Sequence, residues 1–136
     1  MTQNEFYAYP KFPKLDFSER TVVFGAGKAS AAMALAVEQY TSATLEGLVI
    51  TRYGYAVECQ QIKIVEAGHP VPDKQGMRAA ESILKTASGL TEKDSVLCLI
   101  SGGGSSLLSL PAPGLSLEDK KEITSKLLKC GATIHE

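Results

Sequence analysis

The sequence has few cysteines and no closely spaced cysteine pair. Its 136 residues include only three, Cys59, Cys98 and Cys130, which lie far apart. An odd number without Cys-x-x-Cys spacing excludes a disulfide framework and a typical zinc site, so we predict no metal ligands. We therefore expect reduced cysteines and a cytoplasmic location. Cys98 is expected in the hydrophobic core, because it lies within an apolar stretch.

The sequence also lacks a strong charge and a long apolar run. The net charge of −1 provides no electrostatic basis for binding nucleic acid or an anionic membrane surface. No stretch approaches the roughly 20 apolar residues that span a bilayer. The polar and aromatic N-terminus contains no signal-peptide core. With 44% hydrophobic and 21% charged residues, the composition is typical of a globular domain.

Strand and helix patterns alternate along the chain. The alternation predicts an α/β fold, a three-layer Rossmann-like domain with a mostly parallel sheet and helices on both faces. We expect an irregular lead-in over residues 1–20 and one domain over residues 21–136. Strands are predicted at 21–24, 47–51, 61–66 (near an edge) and 95–100 (buried), and helices at 28–40, 75–85 and after Ser116.

The last two of these helices carry start signals and an apolar face. Asp73 is the predicted N-cap of the first, and Ser116 with Asp119 has the spacing of a capping box for the second. Helical spacing places apolar residues on one face of each helix. In the first helix these are Met77, Ala80, Ile83, Leu84 and Ala87, and in the second Ile123, Leu127 and Leu128 are predicted to point inward.

Three consecutive glycines follow the strand predicted at 95–100. The loop reads Ser101, Gly102, Gly103, Gly104, Ser105 and Ser106. A backbone without side chains lets successive N–H groups point at one anion, and the serine hydroxyls add further donors. A tight turn needs only one or two glycines. The loop therefore predicts a binding site for a phosphate or carboxylate group.

A second glycine loop follows the first predicted strand. Gly25 and Gly27 precede Lys28, and an alanine-rich helix begins just after it. A positive charge near a helix N-terminus is disfavoured by the helix macrodipole, and a bound anion would offset this unfavourable interaction. The alternative interpretation is a solvated surface lysine. Since both loops follow parallel strands, we expect them at the same edge of the sheet.

This second loop matches two nucleotide-binding motifs only in part. A Walker A loop is excluded because Val22 and Ala29 replace its first glycine and its hydroxyl residue. The dinucleotide fingerprint Gly-x-Gly-x-x-Gly has Ser30 at its third glycine. Arg52 ends the next strand where an acidic residue is usual. It could accept a 2′-phosphate, hold another anion or be solvated.

His69 lies just past the strand predicted at 61–66, within the segment 66–73. Ligands bind open parallel sheets at this edge, so His69 could contact a substrate or shuttle a proton. The alternative is a loop histidine held by hydrogen bonds before a rigid proline turn. The residues alone leave both interpretations open.

Four blocks occur in a fixed order, at 25–30, 66–73, 99–106 and 111–115. Together they resemble the N-terminal domain of the class II glycerate 2-kinase family, whose second domain is called MOFRL. The resemblance implies transfer of the γ-phosphoryl group of ATP, with Mg²⁺, to the 2-hydroxyl of D-glycerate. It also implies a catalytic role for Lys28 and binding of substrate and nucleotide at the glycine loops.

Members of that family are much longer than this chain. They continue past the block resembling 131–136 into an Arg-Lys-His segment and the second domain. We therefore expect an incomplete interdomain site with little activity alone. We also expect self-association through the exposed interdomain face. Two other functions stay open: a non-catalytic domain that binds phosphosugars or other anions, and an NAD(P)-dependent hydroxypyruvate reductase, a name that relatives have also carried.

Overall fold

The computed structural model describes residues 20–133, so most of the predicted lead-in lies outside the described residues, as do residues 134–136. Strands and helices alternate as predicted. The elements are β1 (Thr21–Ala26), α1 (Ser30–Tyr40), β2 (Leu45–Arg52), β3 (Lys63–Ala67), α2 (Lys74–Ala87), β4 (Ser95–Ile100), α3 (Gly104–Leu107) and α4 (Leu117–Lys129). No helix in this part of the chain is long and apolar enough to cross a membrane.

The four strands form one parallel sheet in the order β3-β2-β1-β4. In β1, Val23 pairs with Gly47 of β2 on one side and with Leu97 of β4 on the other. All of β1 is buried, as expected for a strand with neighbours on both edges and helices on both faces. The strand order reverses between β1 and β4. In open α/β sheets, ligands bind at the carboxyl ends of strands at such a reversal.

Helices cover both faces of the sheet, which confirms the three-layer α/β architecture. On one face α1 packs through Ala34 against Val23 and its neighbours. On the other face α2 and α3 pack through Ala79 and Leu107 against Ile50. Alanines are prominent among the buried residues of two of these helices, Ala31 and Ala34 on α1 and Ala79 and Ala80 on α2. β3 lies at one edge, as its alternating pattern predicts.

Both predicted helix starts are confirmed. Asp73 Oδ1 accepts a hydrogen bond from the Gly76 amide at 2.9 Å and caps α2. At the start of α4, Ser116 Oγ accepts from the Asp119 amide at 3.1 Å, and Asp119 Oδ2 accepts from the Ser116 amide at 2.8 Å. This reciprocal pair is a capping box with aspartate at its third helical position.

β4 is an edge strand, so the prediction of a fully buried strand is wrong. Leu99 is buried against the α1 side, but Val96 and Ile100, on the opposite face, are 49% and 59% exposed. Cys98 shares that face and is exposed. The expectation that Cys98 belongs to the core is therefore also wrong. The apolar run is covered on one face only, because nothing within residues 20–133 covers the other.

The predicted inward face of α4 is exposed as well. Ile123 is 59% exposed, Leu127 44% and Leu128 51%, whereas Leu117 is buried at the first turn. Leu84 of α2 is exposed in the same way. Helical spacing correctly identifies the apolar stripe on α4. It carries no information about which surface packs against that stripe, and residues 20–133 do not supply one.

Candidate functional site

The loops after β1 and β4 meet at the carboxyl ends of their strands, as predicted. The Lys28 amide donates to the Gly102 carbonyl at 2.9 Å, and the Ala29 amide donates to Ser101 Oγ at 3.0 Å. In return, the Ser101 amide donates to the Ala26 carbonyl at 3.1 Å. These three bonds connect residues more than 70 positions apart in the sequence. The two glycine loops therefore form a single unit.

Two serines stabilise this junction. Ser30 is fully buried and donates from Oγ to the Leu99 carbonyl at 2.9 Å, and its Oγ lies 3.3 Å from Ser101 Oγ. Since the hydroxyl hydrogen of Ser30 is directed at Leu99, the Ser101 hydroxyl is the donor to Ser30. Ser101 therefore uses its hydroxyl within the protein, and ligand binding at Ser101 stays a prediction.

The other two serines of the β4 loop differ from each other. Ser106 Oγ donates to the Gly103 carbonyl at 3.1 Å and stabilises the turn. Ser105 is exposed, and its hydroxyl has no partner within residues 20–133. Of the three serines predicted to bind a ligand, only Ser105 keeps a free hydroxyl.

Gly25 and Gly27 allow the close approach of the two loops. Gly27 has a φ of +143°, and a Cβ there would lie 2.6 Å from the Ser101 carbonyl oxygen. A Cβ on Gly25 would lie 2.7 Å from the Leu99 carbonyl oxygen. Both glycines therefore have a packing role in the fold. Direct ligand binding by either of them stays a prediction.

Three backbone donors at the turn into α1 are occupied, whereas the amides of Ala31 and Ala32 in the first turn donate to no residue of the described range. The amides of Lys28 and Ala29 are bonded to the β4 loop, and the Ser30 amide donates to the Gly27 carbonyl at 3.2 Å. In a dinucleotide-binding fold, donors at this helix start would bind the pyrophosphate. Here the β4 loop takes two of these donors, the amides of Lys28 and Ala29.

Two backbone donors without a partner in the described range lie on the β4 loop. The amides of Gly102 and Gly103 donate no hydrogen bond to any residue of the described range 20–133. Gly103 has a φ of +92° and immediately precedes α3, and the Gly104 amide closes the turn onto the Ser101 carbonyl at 3.2 Å. Two adjacent amides without side chains can receive one anionic group.

Lys28 and His69 approach these two glycines from separate loops. A Cβ on Gly103 would lie 2.6 Å from His69 Nε2 and 3.5 Å from Lys28 Cγ, and one on Gly102 would lie 3.8 Å from Lys28 Cε. The aliphatic part of Lys28 therefore runs over Gly103 toward Gly102. Within residues 20–133 the ammonium forms no ion pair and the imidazole forms no hydrogen bond.

Two carboxylates, Asp73 and Glu66, hold the segment that carries His69, and only the helix cap made by Asp73 was predicted from the sequence. Asp73 Oδ2 accepts from the Tyr53 hydroxyl at 2.7 Å. Burial alone would raise the pKa of Asp73, but hydrogen bonds from Gly76 and Tyr53 hold it below its usual value. Glu66 Oε1 accepts from the amides of the loop after β2, Gly54, Tyr55 and Ala56. The Tyr53–Asp73 bond and the bonds to Glu66 join residues at least 10 positions apart, so no local sequence pattern indicates them.

Arg52 has a different environment from the one predicted. Its guanidinium lies 4.1 Å from the centre of the Tyr55 ring, a cation–π contact within the loop after β2. Among the described residues, no hydrogen bond or ion pair joins Arg52 to either glycine loop. Binding of an anion by Arg52 stays a prediction.

An open depression of about 400 Å³ adjoins the β4 loop. Residues 101–105 form its polar part, and Ala26, Ile100 and Leu108 form its apolar part. A ligand held at Gly102 and Gly103 therefore has room to extend over the end of β4.

The sequence profile of a family described as a domain of unknown function, DUF4147, matches residues 3–136. The chain belongs to the DUF4147 family. Similarity to individual proteins places this DUF4147 domain among glycerate kinases. A glycerate 2-kinase of Pyrococcus horikoshii is 43% identical over 123 residues, which is 90% of this chain and 28% of that protein. The predicted membership of the class II glycerate 2-kinase family is confirmed.

Two further comparisons agree with this placement. The crystal structure of a glycerate kinase from Thermotoga maritima matches 90% of this chain and 30% of its own, with a TM-score of 0.78 and 41% identity. A protein of Agrobacterium vitis with the provisional name hydroxypyruvate reductase is 52% identical over 118 residues, 86% of this chain and 27% of that protein. The DUF4147 chain thus spans less than a third of each of these relatives.

Proposed function

We propose that this domain provides the anion-binding part of a D-glycerate 2-kinase, in which ATP phosphorylates the 2-hydroxyl of D-glycerate. The observation that carries the proposal is the convergence of Lys28 and His69 on the unpaired amides of Gly102 and Gly103. The names of relatives from Pyrococcus and Thermotoga support the choice of substrate.

Each group has a chemical task in this proposal. The amides of Gly102 and Gly103 donate to oxygens of a carboxylate or phosphoryl group, and the Lys28 ammonium neutralises its charge. In the reaction, the 2-hydroxyl oxygen of glycerate forms a bond to the γ-phosphorus as the bond to the β,γ-bridging oxygen breaks. The hydroxyl proton leaves to a base or to water, and the His69 imidazole can accept or relay it. Positioning and charge stabilisation supply most of the catalysis in such transfers.

Magnesium was also implied by the family resemblance. No three His, Cys, Asp or Glu side chains cluster within residues 20–133 in a way that could hold a metal ion. The carboxylates in the His69 segment, Glu66 and Asp73, already accept several hydrogen bonds from the protein. The described residues therefore contain no cluster that would hold magnesium by itself, and the roles given to Lys28, His69, Gly102 and Gly103 involve only the protein's own groups.

A ligand titration tests the proposal directly. In ¹⁵N-labelled protein, D-glycerate or ATP is expected to shift the amide signals of Gly102 and Gly103 in a saturable way. Lys28→Ala is expected to weaken this response. Lys93→Ala is the matched control, because Lys93 lies in the exposed turn before β4, at the opposite end of the strand. Shifts confined to other regions, or none at saturating ligand, would contradict the proposal.

A reductase is the second candidate, supported by the names of the Agrobacterium relatives and by the strand order. The β4 loop occupies the Lys28 and Ala29 amides, which leaves fewer donors for a pyrophosphate at the start of α1, and Ser30 at the third glycine position is buried and bonded to Leu99. Oxidation of NADPH on addition of hydroxypyruvate, followed by absorbance, would favour the reductase over the kinase.

We further propose that the chain self-associates through the uncovered face of β4. Val96, Cys98 and Ile100 form an exposed apolar row, and the strand contains no charged residue or proline to prevent edge-to-edge contact. Leu108 and Leu110, which follow α3, are also partly exposed. Burial of this surface between copies would reduce the apolar area in contact with water.

A further inference from the structure

We propose that Tyr53 and Asp73 act together as positioning residues that hold the His69 imidazole against the Gly102-Gly103 backbone. This inference rests on the proposed function in one respect, which is that the ligand binds at the Gly102-Gly103 backbone. Within residues 20–133 neither side chain forms a hydrogen bond with the glycine loops. Their effect is transmitted through the turn that carries His69.

Both oxygens of the Asp73 carboxylate accept hydrogen bonds. Oδ1 accepts from the Gly76 amide at 2.9 Å and caps α2, and Oδ2 accepts from the Tyr53 hydroxyl at 2.7 Å. A helix cap needs only one oxygen. The second oxygen therefore provides a separate link between the loop after β2 and the start of α2.

Asp73 packs inside the turn that carries His69. A Cβ on Gly68 would lie 3.1 Å from Asp73 Cγ and 2.7 Å from the Val71 carbonyl oxygen. The turn from residue 68 to residue 73 is thus closed on itself, with the Asp73 carboxylate at its base. His69 is half-buried and has no hydrogen bond of its own within residues 20–133, so its position depends on this turn.

Tyr53 belongs to a loop that Glu66 restrains. Glu66 at the end of β3 accepts hydrogen bonds from the Gly54, Tyr55 and Ala56 amides, at 2.6, 3.2 and 3.3 Å. Tyr53 itself is 54% exposed. Its hydroxyl therefore joins a restrained loop to Asp73, while the ring contributes little to the core. Removal of the hydroxyl changes the link without a large packing defect.

The test compares Tyr53→Phe and Asp73→Ser with the control Tyr55→Phe. Serine keeps an N-cap acceptor but its side chain is shorter, so it loses the Tyr53 contact. Tyr55→Phe removes a second hydroxyl from the same loop. Within residues 20–133 the Tyr55 hydroxyl has no hydrogen-bond partner. The chain has two histidines, His69 and His135, so the ring signals can be assigned by NMR.

The expected result is a nuclear Overhauser contact between the His69 ring and the Gly103 α-protons that persists in the wild type and in Tyr55→Phe. It is expected to be lost in Tyr53→Phe and in Asp73→Ser. Affinity for D-glycerate is expected to fall about fivefold in both variants, the effect of one hydrogen bond.

Three outcomes overturn the positioning role: a contact retained in Tyr53→Phe, a contact retained in Asp73→Ser, or an equal loss in Tyr55→Phe. A different pattern would identify a failure of the proposed function. If the contact is lost as expected but D-glycerate, ATP and inorganic phosphate bind none of the proteins, the positioning role stands and the proposed function is wrong.

Discussion

The His69 imidazole lies so close to the Gly103 backbone that a Cβ on Gly103 would be 2.6 Å from Nε2. The same carbon would be 3.5 Å from Lys28 Cγ. Two side chains from separate loops therefore pack over one residue. Glycine is required there for the space it leaves as well as for its φ of +92°.

This contact predicts a difference between two glycines with the same backbone conformation. Gly114 has a φ of +90° and nothing within 4 Å of its Cβ position. Alanine at either site should cost about 1 kcal/mol of stability, because a left-handed conformation strains an L-residue. Only Gly103→Ala is expected to displace His69 and weaken D-glycerate binding. Urea denaturation and NMR titration measure the two effects, and equal affinities for the two variants would contradict the account.

The junction between the loops predicts a stability difference between two serines. Ser101→Ala leaves the Ala29 amide without its acceptor and Ser30 without a donor, which should cost about 1–3 kcal/mol. Ser105→Ala removes an exposed hydroxyl with no partner among residues 20–133, so its stability should stay within about 0.5 kcal/mol of the wild type. Chemical denaturation checks both values. Similar losses in the two variants would show that the serine network does not hold the loops together.

Glu38 predicts a loss of stability in acid. Burial alone would raise its pKa, but the amides of Gln60, Ile62 and Gln61 donate to it and hold the pKa below its ordinary value of 4.5. As the pH falls through 4.5, the unfolded chain therefore takes up the proton first and unfolding is favoured. The stabilisation is present above this pH and is lost as the pH falls through the lowered folded-state pKa.

In the Glu38→Gln variant, the free energy of unfolding should therefore decrease less steeply as the pH falls below 4.5. Glu92→Gln, in the exposed turn before β4, is the control and should leave the acid dependence unchanged. Denaturation midpoints measured across the acid range distinguish the two. An unchanged acid dependence in Glu38→Gln would mean that other carboxylates dominate.

Local patterns were sufficient to predict the order of the elements, the Asp73 cap and the capping box of Ser116 and Asp119. These features depend on residues a few positions apart. The convergence of the glycine loops could also be predicted, since parallel strands end at one edge of the sheet. Exposure of Cys98 and Leu127 could not be predicted, because an apolar residue does not reveal what packs against it. The Tyr53–Asp73 bond joins residues 20 positions apart and left no local signal.

The exposed face of β4 predicts concentration-dependent association. Ile100→Lys places a charge on this face and should shift the protein toward monomer. Leu84→Lys is the control, because Leu84 on α2 is exposed to a similar degree, 55% against 59% for Ile100. Sedimentation velocity over a range of concentrations measures the effect. A monomeric wild type, or equal effects of the two variants, would rule out the proposed surface.

The role of Lys28 is tested most directly by comparing the affinity of the protein for anionic ligands with and without this side chain. Isothermal titration of D-glycerate and of ATP into the wild type, Lys28→Ala and the control Lys93→Ala gives the three dissociation constants for each ligand. Loss of a charge-assisted contact worth about 1.5–3 kcal/mol predicts binding roughly 10- to 150-fold weaker for at least one ligand in Lys28→Ala alone. Unchanged affinity for both ligands in Lys28→Ala would show that this lysine is a solvated surface residue and that the proposed site is wrong.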